Sequence, residues 1–555
     1  MSGKRAFLDL LRQEGVEIVF GNPGTTELPL MDAFAVEHDI RYVLGLQEAA
    51  VMAMADGYAQ ASGKLTVLNL HVAPGLGNAM GMLYDAQKAG SPILVTAGQQ
   101  DLEFLVTEPI LSGDLPTLAR PFVKWATQVD RLADLPRLVH RAAKTALAPP
   151  TGPVFLALPG DILKGEAELD LMTPTRVAPR IRGDADAVAA AAALLAKAKR
   201  PLIVAGDAVA QSRAHAELVE LAELLGAPVY AEFVPSTASF PTSHPLFRGA
   251  MVRTAPEVRK VLDQYDVLFS VGGDLFTLSL PHATDPMPPN LPLIHLDTDP
   301  WEIGKNYPAQ VAILGDPKAT LPDITATLRA TLSAGAKGAA RERLAAAGAA
   351  IRAERDAMQT RARSLAGNTP VQPLALMQAI GEMLPKDAVV IDEAISSSQG
   401  MRSLIRSDDP QSFFGLRGGG IGWGLPAAIG VKLALPDRPV VALIGDGSAL
   451  YTAQALWTAA RYRIPVIWVI LNNTSYRILK QRLVNMRGLA EQADTFVGME
   501  LTDPAVDFVG LARSLGIAAQ RARTVAEATD LIAQGLKGGS ALLIDVDMDR
   551  NYKPI

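Results

Sequence analysis

The sequence predicts an α/β fold of three doubly wound domains, each built around a parallel sheet. Short β-branched apolar runs alternate with longer helical patterns along the whole chain, which is typical of parallel strands joined by crossover helices. The runs fall into three series. A chain of 555 residues is also too long for one hydrophobic core and suits three or four domains of ordinary size.

The three series are separated by segments of different composition. The first contains VEIVFG, LTVLNLH, PILVTAG and PVFLALP, and the second, from Arg200, contains RPLIVAG, APVYAEF, YDVLFSVGG and PLIHLDTD. The third contains AVVIDE, PVVALIGDG, IPVIWVILNN and ALLIDVDMD. Residues 171–184 are rich in Pro, Arg and Thr, whereas residues 334–367 are rich in Ala, Arg and Glu at helical spacing. We therefore predict domains at 1–175, 184–335 and 368–555, with a helical linker at 336–367.

Composition and charge exclude several classes of protein. With 52 Lys and Arg against 58 Asp and Glu, the formal charge is -6 and neither sign forms a long block, so we expect no nucleic-acid partner. The absence of cysteine excludes disulfides and thiolate sites. No stretch reaches the roughly 18 consecutive apolar residues of a membrane span, and the N-terminus does not resemble a signal peptide. We therefore expect a soluble, cytoplasmic protein without a membrane partner.

The segment Val440–Tyr476 carries the most informative pattern. An apolar run ends in a GDG turn centred on Asp446, a helix is expected to begin near Ser448, and the next apolar run ends at Asn473. Both turns should emerge at the carboxyl edge of one parallel sheet, so Asp446 and Asn473 can converge. Their oxygens suit Mg²⁺, and the turn suits a diphosphate. The alternative is an ordinary loop, because Asp-Gly is common in turns.

GDGS followed by this NN pair resembles the signature of thiamine-diphosphate enzymes, and the resemblance extends over nearly the whole chain. It is closest to benzoylformate decarboxylases, through GNPGTTELP at Gly21, LQEAAVMAMADGYAQASGK at Leu46, NLHVAPGLGNAMG at Asn69, ARPFVKW at Ala119 and GWGLPAAIG at Gly422. The resemblance implies thiamine diphosphate and Mg²⁺ as cofactors, bound by a pyrimidine-binding, a middle and a diphosphate-binding domain. In this family the two outer domains that form one site come from different subunits, so a homodimer or homotetramer is implied.

Glu48 is the predicted catalytic carboxylate. It stands among apolar and small residues at the start of a helical pattern, where desolvation should favour its protonated form. The alternative is a helix-start glutamate favoured by the macrodipole. By resemblance, Glu48 bonds N1′ of the aminopyrimidine and promotes removal of the C2 proton of the thiazolium ring.

Further cofactor contacts are implied by the same resemblance. The carbonyl of Gly419 would accept a bond from the 4′-amino group, and Ile421 would wedge beneath the bent cofactor. Ser475 would join Asp446 and Asn473 as a ligand of Mg²⁺. The remaining predicted contacts are Ser396, Ser397, Gly445, Gly447, Ser448 and Tyr476.

The predicted substrate pocket begins with two residues of the first series. His71 follows an apolar run, where sites of such sheets form, and the matching family position carries a proton-transfer histidine; a lone histidine is otherwise more often structural. Thr25 matches a serine that contacts the substrate carboxylate in the family. The second family histidine is not clearly retained, because Ser279 stands at its position and His282 follows three residues later.

The opposite pocket wall departs from the family pattern. Ile478 stands where benzoylformate decarboxylases have a small residue, and Arg482 where they have an aromatic one. A branched side chain in space meant for a phenyl ring typically costs about 1 to 3 kcal/mol, so benzoylformate itself is not the expected substrate. Arg477, Lys480 and Arg482 could meet an anionic substrate, but for at least two of them a solvated helix face is the favoured interpretation.

These patterns predict a decarboxylase of aryl or branched aliphatic 2-keto acids, with an aldehyde acceptor if the product is also carboligated. NNTSYRILKQR resembles acetolactate-synthase-like proteins, so such a carboligase, or a 2-hydroxyacyl-CoA lyase, is the alternative enzyme. A non-catalytic cofactor-binding homologue is the alternative of another class, and Glu48, Asp446 and Asn473 argue against it. A nicotinamide dehydrogenase is disfavoured because no G-x-G-x-x-G follows a strand with an acidic residue at the expected distance.

Overall fold

A computed structural model describes residues 1–234, 236–252, 254–278 and 282–552. The described chain contains three six-stranded sheets, and neighbouring strands in each are parallel. Helices cover the sheets in an α/β arrangement. The predicted fold class of three doubly wound domains is therefore confirmed.

The first sheet is built from residues before 160. Its strands are β1 (Ile18–Gly21), β2 (Arg41–Leu44), β3 (Thr66–Leu70), β4 (Ile93–Gln99), β5 (Ala126–Gln128) and β6 (Val154–Pro159). Its helices are α1 (Gly3–Gln13), α2 (Leu28–Phe34), α3 (Glu48–Ser62), α4 (Val72–Ala89), α5 (Leu115–Ala119), α6 (Leu135–Leu147) and α7 (Gly160–Lys164). Residues 171–184 then contain neither helix nor strand.

The middle sheet follows this extended segment. Its strands are β7 (Pro201–Ala205), β8 (Val229–Ala231), β9 (Phe247–Ala250), β10 (Val267–Val271), β11 (Leu293–Asp297) and β12 (Val311–Leu314). Its helices are α8 (Ala185–Lys197), α9 (Asp207–Gln211), α10 (His215–Leu225), α11 (Ala255–Leu262) and α12 (Pro317–Thr331). A long helix, α13 (Ala334–Ser364), leads away from it.

The third sheet occupies the rest of the chain. Its strands are β13 (Val389–Glu393), β14 (Phe413–Gly415), β15 (Val440–Gly445), β16 (Ile467–Asn472), β17 (Ala518–Ala522) and β18 (Leu542–Asp547). Its helices are α14 (Pro373–Met383), α15 (Met401–Leu404), α16 (Gly424–Ala434), α17 (Asp446–Ala449), α18 (Ala455–Tyr462), α19 (Arg477–Met486), α20 (Leu489–Gln492), α21 (Phe508–Ser514) and α22 (Val525–Gly538).

The outer two sheets share one topology. Their strand orders are β2-β1-β3-β4-β6-β5 and β14-β13-β15-β16-β18-β17, whereas the middle sheet runs β12-β11-β10-β7-β8-β9. If β7 to β12 are renumbered 1 to 6 and the middle sheet is read from β9 to β12, its strand order is 3-2-1-4-5-6. This is the order of dinucleotide-binding folds. All twelve apolar runs form strands, and the six strands that these runs did not indicate are the two edges of each sheet.

Helix α3 of the first domain packs directly on helix α16 of the third. A Cβ at Gly57 would overlap the backbone of Ala427, and one at Gly430 would overlap the backbone of Met54, so glycine is what allows this approach. One hydrophobic core runs through both domains, while the middle domain has cores of its own. The outer domains are thus joined by a shared interior, although the middle domain lies between them in sequence.

Candidate active site

The carboxyl ends of β15 and β16 bring the predicted metal ligands together. Gly445 at the end of β15 pairs with Leu471 of β16, so the residues that follow both strands emerge side by side. The backbone N–H of Ser475 donates to Asp446 at 3.2 Å, and the hydroxyl of Ser475 donates to Oδ1 of Asn473 at 2.9 Å. Asp446, Asn473 and Ser475 therefore form one cluster.

The carboxylate of Asp446 is buried and forms no ion pair within the described part of the chain. It is 2% exposed, and no described basic side chain forms an ion pair with it. Burial raises the pKa of Asp446 to about 6, although backbone N–H groups, Gly447 first, partly oppose the shift. A buried carboxylate beside amide and hydroxyl oxygens has the donor chemistry that a hard divalent cation requires.

The helix expected to begin near Ser448 is interrupted. Helix α17 covers only four residues from Asp446, and α18 begins at Ala455. Gly447 packs against the ring of Tyr476, where a Cβ would overlap the ring. The turn therefore presents its own backbone, rather than the end of a long helix.

Arg477 and Lys480 are not on a solvated helix face, so this part of the sequence interpretation is wrong. Arg477 is 3% exposed, and Lys480 is buried in an ion pair with Glu500. Arg477 donates to the hydroxyl groups of Ser396 at 3.3 Å and Ser397 at 2.9 Å. Since Asn473 also approaches Ser397 at 3.4 Å, Arg477 connects the predicted diphosphate contacts to the metal cluster.

The glycine loop before α16 is held on one side by the first domain. Gly419 and Gly422 have φ angles of 88° and 103°, which favour glycine. The N–H of Gly420 donates to Asp85 of α4 at 2.9 Å, and Ile421 lies half-buried against the shared core. This contact fixes the loop that carries the predicted aminopyrimidine acceptor.

Glu393, at the end of β13, holds the same loop from beneath. Its carboxylate is buried and accepts the N–H groups of Gly422 at 2.5 Å and Gly424 at 2.6 Å. Burial raises the pKa of Glu393 to about 7, opposed by these backbone bonds and by a bond from Ser448. Glu393 thus links the glycine loop to the GDG turn, a role that sequence reasoning missed.

We expect Asp85→Asn to flatten the dependence of stability on pH. Burial raises the pKa of Asp85 to about 8, so the folded chain keeps a proton that the unfolded chain loses near pH 4. This group therefore makes the free energy of unfolding fall as pH rises towards 8, by up to about 1.4 kcal/mol per pH unit. The amide still accepts from Gly420 but does not titrate.

The measurement is chemical denaturation of both proteins at pH 6 and pH 8. The variant should lose less stability between them than the wild type, and Asp530→Asn, on the exposed face of α22, should behave as the wild type. Equal losses in wild type and Asp85→Asn would show that Asp85 is ionised in the folded state throughout this range.

Glu48 is the first residue of α3, as the sequence predicts. The side chain of Gln47 caps this helix by accepting from Ala50 at 3.1 Å. The Glu48 carboxylate is half-buried in the single chain and accepts from the side-chain amide of Asn78 at 3.1 Å. Gly75 of α4 also lies against this carboxylate.

His71 is oriented by a carboxylate that sequence reasoning missed. Nδ1 of His71 lies 2.8 Å from Glu27, which is 0% exposed and also accepts from the N–H of Gly98. Nδ1 of His71 also lies 3.3 Å from the hydroxyl of Thr26, whereas Thr25 is exposed beside it. The acidic residue in GNPGTTELP, inside an otherwise uncharged motif, was the available signal.

The next residue carries backbone strain. Val72 has a φ angle of 41°, a conformation that β-branched residues rarely adopt. Strain of this kind persists where the surrounding structure fixes the backbone, here at the turn that presents His71.

A cavity of about 1000 Å³ is lined mainly by the middle and third domains, with Tyr84 and Lys88 of the first domain at its wall. Its wall includes Ser396, Gly419, Ile478 and Arg482, together with Arg477. The described lining does not include Glu48, His71 or Thr25, so one chain does not assemble all predicted site residues around one space.

His282, one of the two predicted replacements for the second histidine, is not among the described residues of this wall. His282 lies on an exposed loop, where its Nδ1 accepts from the N–H of Thr284 at 2.9 Å, and it does not line the cavity. Ser279 lies outside the described residues.

Among the described helices, we find none with both the length and the apolar character of a membrane span.

Comparison with known proteins gives matches along the chain. Models of the thiamine pyrophosphate enzymes match the N-terminal TPP binding domain at 1–113, the central domain at 188–324 and the C-terminal TPP binding domain at 394–546. Benzoylformate decarboxylase of Pseudomonas aeruginosa is 34% identical over 544 residues, covering 98% of each chain. A probable acetolactate synthase large subunit of Methanocaldococcus jannaschii is 29% identical, covering 99% of this chain and 92% of that protein.

A solved structure agrees with these sequence relatives. The thiamine diphosphate-dependent 4-hydroxybenzoylformate decarboxylase of Rhodococcus jostii superposes with a TM-score of 0.86 at 32% identity, covering 99% of this chain and 100% of that one. The resemblance predicted from the motifs is thus confirmed. The chain belongs to the thiamine pyrophosphate enzyme family and is a thiamine-diphosphate-dependent carbon–carbon lyase.

Proposed function

We propose that this enzyme decarboxylates 2-keto acids without oxidation, using thiamine diphosphate and Mg²⁺, and that it can join the resulting acyl group to an aldehyde. The observation that carries the proposal is the cluster of Asp446, Asn473 and Ser475 beside Ser396 and Arg477. It supplies the oxygen ligands and hydroxyl groups that a magnesium diphosphate needs. Similarity to a benzoylformate decarboxylase along 98% of the chain supports the same chemistry.

The chain's own residues would bind the cofactor in two parts. Asp446, Asn473 and Ser475 hold Mg²⁺, while Gly445, Gly447 and Ser448 approach the diphosphate, with Tyr476 packed on the turn. Ser396 lines the cavity, whereas Ser397 is buried and accepts from Arg477. Gly419 would accept a bond from the amino group of the pyrimidine, and Ile421 would pack against the bound cofactor.

The proton-handling residues belong to the first domain. When bound, thiamine diphosphate supplies an electron sink next to the carbonyl carbon of the substrate. Glu48 exchanges a proton with the pyrimidine ring, and Thr25 receives the substrate carboxylate. His71 transfers protons at the substrate oxygen, and Glu27 sets its orientation and tautomer.

A second copy of the chain would complete the site. Glu48, His71 and Thr25 are at least partly exposed in one chain and do not line the cavity that contains Ser396. We therefore propose a homodimer or homotetramer in which each first domain faces the third domain of its partner.

The proposed reaction is tested with the holoenzyme and a panel of aryl, branched and short 2-keto acids. Release of carbon dioxide and formation of 2-hydroxy ketones are followed separately. Carbon dioxide with free aldehyde supports the decarboxylase. Condensation of two pyruvates without free aldehyde would instead support an acetolactate synthase, which the 29% identical relative makes the second candidate.

We expect Ile478→Ala to raise kcat/KM for benzoylformate relative to branched aliphatic 2-keto acids. Ile478 lies on the cavity wall, where its side chain fills space that a phenyl ring would need. Relief of about 1.4 kcal/mol in the transition state corresponds to about a tenfold gain. His71→Ala is the matched variant and should lower turnover on every substrate, because proton transfer is common to them all.

Parallel kinetics on pyruvate, a branched 2-keto acid and benzoylformate separate these two effects. A wild-type enzyme that already prefers benzoylformate would show that Ile478 does not limit the pocket.

A further inference from the structure

Arg402 is a buried cation without a bonding partner among the described residues. It lies on α15, on the wall of the cavity that contains Ser396 and Gly419. All three nitrogen atoms of its guanidinium group are buried, and none forms a hydrogen bond within the described chain. The guanidinium stacks on the ring of Phe413, 4.1 Å from its centre.

The other buried arginines of this cavity are fully engaged. Arg417 is paired with Glu232 at 3.0 Å and with Asp274 at 2.6 Å, and Arg477 donates to Ser396 and Ser397. Leaving a buried charge unpaired normally costs several kcal/mol. Arg402 is therefore the exception on this wall.

Nearby carboxylates do not remove this cost. Asp392 and Asp207 act on Arg402 only through space, and burial lowers the pKa of Arg402 to about 10 despite them. More basic than acidic residues line the cavity as a whole. The formal charge of the described lining is therefore positive.

We propose that Arg402 is a subsite for an oxyanion, a carboxylate or a phosphate-type group, on the wall of this cavity. Guanidinium groups bind such oxyanions through two parallel hydrogen bonds. In this proposal the Arg402 side chain turns off the ring of Phe413, so that its donors face the anion in the cavity. Because Ile478 of the predicted substrate pocket lines the same cavity, one substrate can extend from the reacting site to Arg402.

This inference rests on the proposed function and specifies it: the enzyme accepts 2-keto acids that carry a second anionic group. The oxyanion has two possible sources, the far end of the substrate or a separate small anion. In both cases the oxyanion binds the guanidinium group of Arg402. Only an oxyanion that belongs to the substrate makes substrate selectivity depend on Arg402.

The substrate source is tested with 2-keto diacids of four to seven carbons, each compared with the monoacid of equal length. In the wild type, kcat/KM should favour one diacid by about tenfold or more, as charge-assisted hydrogen bonds imply. Arg402→Gln should remove this preference through KM. Arg361→Gln, an equal charge change at an exposed position of the same cavity, should retain it.

The separate-anion source is tested by thermal unfolding of the holoenzyme with inorganic phosphate. A rise in Tm that is lost in Arg402→Gln, without diacid preference, supports the subsite and assigns it to a separate ligand. A wild type with neither diacid preference nor stabilisation by phosphate overturns the proposal, whether or not the variant folds. If no 2-keto acid is decarboxylated, the proposed function fails while the phosphate measurement still decides the role of Arg402.

Discussion

Asp446→Ala should abolish magnesium-dependent binding of thiamine diphosphate. The carboxylate is buried, has no described ion-pair partner and lies within one cluster with Asn473 and Ser475. Mg²⁺ tolerates little departure from octahedral geometry. Because even residues that only orient metal ligands change affinity by about 10 to 100-fold, loss of a ligand should cost about 100-fold or more. Asn473→Ala should behave alike.

Titration calorimetry with thiamine diphosphate and Mg²⁺ measures this effect directly. Asp530→Ala, an exposed change on α22 of the same domain, controls for the general effect of removing a carboxylate. Wild-type affinity in either site variant would exclude that residue from the metal shell. The unfolding transition of each variant, recorded without cofactor, shows whether lost binding reflects lost structure.

Glu48→Gln should slow deprotonation at C2 of bound thiamine diphosphate by about two to four orders of magnitude, the usual contribution of a positioned acid or base. The amide keeps the shape of the side chain and its contact with Asn78, so much of the cofactor affinity should persist. It cannot exchange a proton with the pyrimidine ring. Hydrogen–deuterium exchange at C2, quenched with acid and measured by NMR, reports this step.

Glu168→Gln is the matched control, because Glu168 is an exposed carboxylate of the same domain, on the segment that follows α7. It should exchange at the wild-type rate. An unchanged rate in Glu48→Gln would remove Glu48 from proton transfer and leave it with the structural role of a helix-start acid.

The sequence predicted the centre of each sheet and missed its edges for one physical reason. Central strands are covered on both faces and become continuous apolar runs. Edge strands are half exposed or very short: β12 alternates buried and exposed residues, and β5 contains three residues. Strand β2 has only one buried residue among four. Such segments cannot be separated from loops by hydropathy.

The candidate site shows a similar division. The convergence of Asp446 and Asn473 follows from one strand–helix–strand unit, so local pattern and sheet geometry suffice. The sequence did not indicate the roles of three buried carboxylates, Asp85, Glu393 and Glu27. Their partners are mainly backbone N–H groups or an imidazole ring that lie far along the chain. Asp85, for example, lies 335 positions from Gly420. The amino-acid sequence alone does not distinguish such a buried, hydrogen-bonded carboxylate from a solvent-exposed one.

The sharing of one core by the two outer domains affects how the chain is made. Helix α3 is buried along nearly its whole length, and part of its cover is α16, which begins at residue 424. During synthesis from the N-terminus, α3 leaves the ribosome long before that cover exists. The apolar surface of the first domain therefore stays exposed until most of the polypeptide has been translated. During this time it can bind chaperones or aggregate.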